Sequence, residues 1–335
     1  MIVYLNNSYV GPYKYNDAEN TIIVSSGYHP ASELMIVTFL RVRPGVPLAV
    51  GAFCMKDNTP GSIAKIWGFP NTESNTLRAS DFDFENEEDT EDIQRIISVY
   101  HITIDEKCNR VFFVDTGMLN YKDNESFDIQ KSALWVLGLP ENGCETRNFP
   151  LIRRIEMPEG ITKKGKDGFM HVVLDYQTSG ECDDLFLYIT NTFFSYLVVY
   201  DYKNDEFWTI NHEAFQPNEN ELVGNRGANH QSLKTIIDEK SGIMFYAEVQ
   251  SNQIRCWNIH KLLNPDNIEV IYEAEEEFDF VAQMFIDSKG FLWFESTKIP
   301  IVYASDLPLD LTHSNNKIFR VNINDAIKGT ICENN

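Results

Sequence analysis

The sequence predicts an all-β fold, a β-propeller of four-stranded blades, and three observations carry that reading. Short apolar or alternating runs recur along the chain, at residues 21–25, 34–40, 111–114, 134–137, 185–190, 196–200, 243–249, 291–294 and 317–321. They are rich in β-branched and aromatic residues and are divided by Gly, Pro, Asn and Asp, as strands and turns are. Helical patterning is nearly missing: the six residues Ile323-Asn324-Asp325-Ala326-Ile327-Lys328, ended by Gly329, form at most one short terminal helix. The third observation is a degenerate repeat.

That repeat sets the elements in order. Ile104-Asp105-Glu106-Lys107-Cys108-Asn109-Arg110-Val111-Phe112-Phe113-Val114 resembles Ile237-Asp238-Glu239-Lys240-Ser241-Gly242-Ile243-Met244-Phe245-Tyr246. Both resemble Ile286-Asp287-Ser288-Lys289-Gly290-Phe291-Leu292-Trp293-Phe294. A looser fourth copy is Cys182-Asp183-Asp184-Leu185-Phe186-Leu187-Tyr188-Ile189-Thr190, and a fifth is expected at 15–24. The unit is a strand ending in Asp, a tight turn, then a strongly apolar strand. Two such hairpins make one blade, and the wide spacing between copies suits a propeller better than a sandwich. One domain over 1–335 is expected, with an acidic external loop at 80–92.

Composition excludes several roles. The chain has 28 Lys and Arg against 50 Asp and Glu, a net charge of −22. Such a surface does not bind a phosphate backbone or anionic lipid and instead attracts cations. Neither nucleic acid nor membrane is an expected partner, and a monomer is expected. No apolar run approaches the roughly 20 residues of a membrane span. Met1-Ile-Val-Tyr-Leu5 is too short for the core of a signal peptide. The acidic run opens like a calcium loop at Asp81, Asp83 and Glu85, but it lacks the turn glycine, so a solvated loop is the better reading.

Catalytic templates are missing. There is no G-x-S-x-G, H-E-x-x-H, P-loop or G-x-G-x-x-G, so no catalytic residue, metal or cofactor is assigned. Gly224-Asn225-Arg226-Gly227 precedes no helix pattern and reads as a turn. The seven histidines show no metal-ligand spacing; His171, beside Val172-Val173-Leu174, is the one expected to be buried. Six dispersed cysteines form no C-x-x-C pair and leave disulfides open. Asn6 and Asn124 begin glycosylation sequons. Glu248 and Glu295 follow the apolar strands of two repeats, where strand ends would face an axial channel. There a carboxylate can pair with an ammonium ligand or move a proton, although pairing with Lys or Arg at a blade turn is the commoner outcome.

Several motifs, in order, resemble the Yellow and major royal jelly protein family of insects. They include Thr38-Phe39-Leu40-Arg41-Val42-Arg43-Pro44-Gly45-Val46-Pro47, Ser98-Val99-Tyr100-His101-Ile102 and Val199-Tyr200-Asp201-Tyr202. More specific are Val249-Gln250-Ser251-Asn252-Gln253-Ile254-Arg255-Cys256-Trp257-Asn258, Asp287-Ser288-Lys289-Gly290-Phe291-Leu292-Trp293 and Ala326-Ile327-Lys328-Gly329-Thr330-Ile331-Cys332. The likeness spans residues 32–332. It implies a secreted six-bladed propeller with an axial ligand pocket and disulfides Cys108–Cys182 and Cys256–Cys332. Cys54 and Cys144 are extra to that pattern.

The chain departs from the family in two places. Residues 209–223 replace a segment about one blade long, so five blades are expected here. A terminal strand near 317–321 would pair with N-terminal chain. In the pocket, amine-binding members use a Thr, an Asn and an aromatic residue; the positions here are Ala282, Thr297 and Ile299. With Glu248 and Glu295, these form the expected ligand set. The expected function is binding of a small aromatic or cationic amine, in the extracellular catecholamine and melanin pathway. The alternatives are a dopachrome-type isomerase and a structural or nutritive protein.

Overall fold

The computed structural model describes residues 2–5, 18–77, 95–120, 126–145, 147–162, 168–212, 215, 232–248, 251–273 and 279–333. The acidic run, both sequons' asparagines and the 224–227 turn lie outside them.

The repeated hairpin is a carboxylate-capped turn. Asp105 ends strand Val99–Asp105, and its Oδ1 accepts the Cys108 N–H at 3.3 Å. Asp238 ends Ser232–Asp238 and accepts both the N–H and the hydroxyl of Ser241, at 3.1 and 2.6 Å. Asp287 follows Phe280–Ile286 and takes the N–H groups of Lys289 and Phe291, both at 3.0 Å. Its second oxygen accepts the Trp293 indole N–H at 2.8 Å. Each turn then passes through one left-handed residue: Asn109 (φ 51°), Gly242 (φ 69°) or Gly290 (φ 79°). Asn and Gly enter that region at least cost, which is why the repeat carries them there.

The fifth copy expected at 15–24 is corrected. The equivalent hairpin joins Ile23–His29 to Leu34–Phe39, and its left-handed residue is Glu33 (φ 56°). Neither an Asp nor a Gly marks this turn in the sequence. His29 stabilises it instead, sharing hydrogen bonds with Ser32 Oγ at 2.8 Å and Asn109 Oδ1 at 3.0 Å.

Five four-stranded antiparallel sheets are present among the described residues, each a propeller-type blade. Three belong to one compact unit, made of the described parts of 7–57 and 65–218. The first sheet is Ile23–His29, Leu34–Phe39, Val50–Cys54 and Trp67–Gly68. The second is Val99–Asp105, Arg110–Asp115, Ala133–Gly138 and Leu151–Glu156. The third is Phe169–Tyr176, Leu185–Asn191, Tyr196–Asp201 and Glu206–Asn211.

The other unit, from 1–6, 58–64 and 219–335, holds two sheets. The fourth sheet is Ser232–Asp238, Ile243–Glu248, Gln253–Asn258 and Ile268–Glu273. The fifth is Phe280–Ile286, Phe291–Thr297, Asn316–Asn322 and, from the other end of the chain, Ile2–Leu5. Ile2 pairs with Phe319 and Leu5 with Asn316, so the expected pairing of terminal and N-terminal chain is formed. The short terminal helix is also present, at Ile323–Ile327.

Sheets pack face to face, and this explains the strongest apolar runs. In the second sheet, Val111, Phe113, Trp135 and Leu137 enter a core shared with Leu34, Ile36 and Ala52 of the first and with Phe69, which directly follows it. The alternate residues Phe112, Val114, Leu134 and Val136 enter a core shared with Leu185, Leu187, Ile189 and Val198 of the third. Both faces are covered, so Arg110–Asp115 is buried throughout. The outer strand Leu151–Glu156 is instead partly exposed. First strands also approach closely: a Cβ on Gly27 would lie 2.7 Å from Ile104 Cγ1.

Three disulfides join neighbouring sheets. Cys54–Cys144 ties the first sheet to the loop after a strand of the second, and Cys108–Cys182 joins hairpin turns of the second and third. Cys256–Cys332 ties the fourth sheet to the tail of the fifth. The pairings implied by resemblance are formed, and the two extra cysteines join each other. Around Cys108–Cys182, Arg110 pairs with Asp105 at 2.9 Å and donates to the Cys182 carbonyl at 2.6 Å. Tyr176 donates to the same carboxylate at 2.6 Å; burial and that bond push its hydroxyl up to about 12.

Peptide mapping without reduction is expected to recover these three pairs. The Cys54→Ser/Cys144→Ser double variant should lose about 4.6 kcal/mol, the chain-entropy value for a loop of this length. Free thiols at Cys54 and Cys144 in the native protein would contradict the pairing.

A second expectation concerns acid. Burial holds the His29 imidazole below its ordinary 6.5, against the opposing pull of Asn109 and Asp105. Between that lowered value and 6.5 the unfolded chain binds the proton more readily, so stability falls as pH drops through this window. His29→Gln should flatten that part of the stability profile, as measured by denaturant midpoints between about pH 7.5 and pH 5. An unchanged slope would remove His29 from the account.

Candidate ligand site at the end of the fifth sheet

The first strand of each four-stranded sheet shifts register near its start. The shifts fall between Ile23 and Ser25, Val99 and Ile102, Phe169 and Val172, Ser232 and Thr235, and Val281 and Gln283. A bulge takes residues off the ladder and re-aims their side chains. The residues so placed include Val24, His101, His171, Lys234 and Ala282. One repeated backbone feature therefore presents an aliphatic side chain, two imidazoles, an amine and a methyl group.

In the three-sheet unit, the bulges bring His101 and His171 together, stacked with ring centroids 5.4 Å apart. His101 is the more buried of the two, and His29 is fully buried; the expectation that singled out His171 is corrected. Bulge geometry, rather than the neighbouring apolar run, sets their depth. At the same strand ends Asp115 is enclosed. It accepts the N–H groups of Ile97, Ser98 and Gly117 at 2.8–3.0 Å and the Gln130 amide at 2.7 Å. Burial pushes its carboxyl up, and the three backbone donors oppose that shift. Asp115 thus holds three loops in register.

In the two-sheet unit, polar groups gather at the end of the fifth sheet. Glu295 and Thr297 are both fully buried and lie on one face of Phe291–Thr297. Register places Glu295 between Gln283 and Ile318, and Thr297 between Phe280 and Asn316. Thr297 Oγ1 accepts the N–H of Ile299, which opens the short helix Ile299–Ala304. Ala282 occupies the bulge opposite Glu295 and Ser296 and is itself buried. Beside this strand runs Ser232–Asp238, whose bulge carries Lys234. Lys234 is half-buried and feels the charge of Glu295, while burial pushes its amine below the ordinary lysine value.

Of the expected ligand set, Ala282, Glu295, Thr297 and Ile299 share this end of the fifth sheet. Glu248 is engaged differently. Its Oε2 pairs with Arg255 Nε at 3.0 Å and accepts the Ser251 hydroxyl at 2.8 Å, closing a turn of the fourth sheet. Lys234 was not legible as a site residue. The one cue is local: Ser232-Leu233-Lys234-Thr235-Ile236 breaks the alternation of its strand. Among the described residues, no three His, Cys, Asp or Glu side chains gather as metal ligands, and no helix is long and apolar enough to cross a membrane.

Comparison with known proteins adds the family. The family model described as Major royal jelly protein matches residues 97–222 and 216–332. The chain is 29% identical to the Yellow-related salivary protein ASP4 of Phlebotomus orientalis, over 71% of this chain and 74% of that protein. It is 24% identical to the L-dopachrome tautomerase yellow-f of Drosophila melanogaster, over 89% and 79%. Identity to the Yellow-related salivary protein SP03 of Phlebotomus perniciosus is 25%, over 97% and 90%. That alignment runs to 385 positions but uses only about 325 residues here, 97% of 335, so about 60 positions have no counterpart in this chain. Among solved structures, a nidogen–laminin complex aligns at 10% identity over 87% of this chain and 80% of that one, with a TM-score of 0.33, too remote to carry an argument. The sequence motifs, the blade-type sheets and the match over 97–332 lead to one statement: this chain belongs to the major royal jelly protein family, which includes the Yellow proteins.

Proposed function

We propose that this is a secreted Yellow-type protein that binds a small aromatic amine at the polar end of the fifth sheet, in extracellular catecholamine and melanin chemistry. The observation that carries the reading is Glu295, a fully buried carboxylate beside Thr297. A carboxylate withdrawn from water attracts an ammonium group far more strongly than one on the surface. An acidic chain of net charge −22 also concentrates cations around itself. Secretion is supported by three disulfides, which persist in oxidising compartments, and by the salivary naming of several relatives. Ala282 supplies no hydroxyl and Ile299 no aromatic wall, so affinity should be modest.

Lys234 favours a second reading, a dopachrome-type isomerase. Tautomerisation moves one proton and needs only a positioned acid or base. An amine held below its ordinary value can accept a proton nearer to neutral pH, and one relative is named as an L-dopachrome tautomerase.

Calorimetry with dopamine, serotonin, DOPA and dopachrome, with turnover followed in the same samples, separates the readings. Heat of binding without turnover is expected. Glu295→Gln should weaken an ammonium-bearing ligand by about tenfold or more, in keeping with about 1.5–3 kcal/mol for a charge-assisted bond. Turnover that depends on Lys234 would favour the isomerase. Neither heat nor turnover with any of the four would remove both.

A further inference from the structure

We propose that Lys234 is a nucleophilic amine that captures carbonyl compounds as an imine, making the fifth-sheet end a covalent site for aromatic aldehydes. This rests on the reading of that end as a ligand site. Three features of the geometry carry it. The bulge between Ser232 and Thr235 turns Lys234 off the ladder, so its side chain is not confined to the regular face of the strand. The adjacent first strand carries its own bulge at Ala282, the smallest side chain that any of the five bulges presents. Glu295, fully buried, sits on the strand paired with Phe280–Ile286, the strand that Ser232–Asp238 runs beside, and supplies a carboxylate for the proton traffic.

Desolvation of a lysine is a recognised way to raise the fraction of neutral amine, the form that attacks a carbonyl. The Lys234 nitrogen adds to the carbonyl carbon, and the C=O π electrons move to oxygen, which takes a proton. The nitrogen loses a proton, for which Glu295 is the acceptor at hand. Loss of water from the carbinolamine then gives the C=N bond. Amine plus aldehyde yields imine plus water, with no change of oxidation state and no co-reactant. Lys131 and Lys203, with side chains 65% and 55% exposed, have no such setting and serve as internal controls.

The test uses the whole protein with protocatechualdehyde, a catechol aldehyde, and cyanoborohydride to reduce the imine to a stable amine. Peptide mass mapping then reads the adduct at each lysine. At neutral pH, Lys234 should label at least about tenfold faster than Lys131 or Lys203. Lys234→Arg should abolish that adduct. Dopamine, which has no carbonyl, should protect Lys234 in the unmodified protein, a measurement that needs no variant to fold. Labelling that follows exposure, or that spares Lys234, would overturn the proposal. If dopamine still gives heat of binding in that case, the covalent step alone fails; if it gives none, the ligand reading fails with it.

Discussion

The structure depends on one constraint: the middle strands of a blade are covered on both faces, so their side chains must suit two different cores at once. Arg110–Asp115 shows it most clearly, with Val111 and Phe113 serving the first and second sheets and Phe112 and Val114 the second and third. A strand under that constraint cannot carry polar chemistry along its length without unpaired groups in two cores. Polar residues are therefore pushed to strand ends and to the turns. That is where Asp105, Asp238 and Asp287 cap hairpins, and where Asp115, Glu295 and Thr297 are enclosed. The separation of packing from chemistry follows from the layering.

The same constraint decided what could be read from the sequence. Three hairpins were legible because the cap and the left-handed residue are local: Asp with Asn or Gly a few positions on, before a run of apolar residues. The hairpin at Ile23–His29 was not, because Glu33 occupies its left-handed position and His29 stabilises the turn through side chains. The helix Ile299–Ala304 was missed for a related reason, since Ile-Pro-Ile-Val-Tyr-Ala has the composition of a strand. Bulges are a property of two strands in register, so a single run announces them poorly. A break in alternation marks Lys234, whereas His101 and Ala282 look in sequence like any residue of a strand. Cys54 and Cys144, 90 residues apart, could be paired only once the first and second sheets were side by side.

The bulges also explain how one scaffold can change its ligand. Each four-stranded sheet repeats the same local backbone event, so a substitution at that position alters the chemistry presented near the start of the first strand. Val24, His101, His171, Lys234 and Ala282 are five outcomes of the same geometry. An aliphatic side chain there extends packing, a stacked imidazole pair links two first strands, and an amine next to a buried carboxylate creates reactivity. Glu248 marks the limit of this freedom. Although it follows an apolar strand as Glu295 does, Arg255 lies across the strand pair and takes its charge, so the two carboxylates have different fates.

Shortening of the chain acts on a different level. About 60 aligned positions of one relative have no counterpart here, while the described residues form five complete four-stranded sheets. Removing a piece of that size within a sheet would leave an unpaired edge and an uncovered apolar face; removing a whole sheet leaves every remaining strand with its partner. The fifth sheet takes its fourth strand from Ile2–Leu5, so both ends of the chain are tied into one ladder. Disulfides fall on the same boundaries, each joining one sheet to the next rather than strands within a sheet.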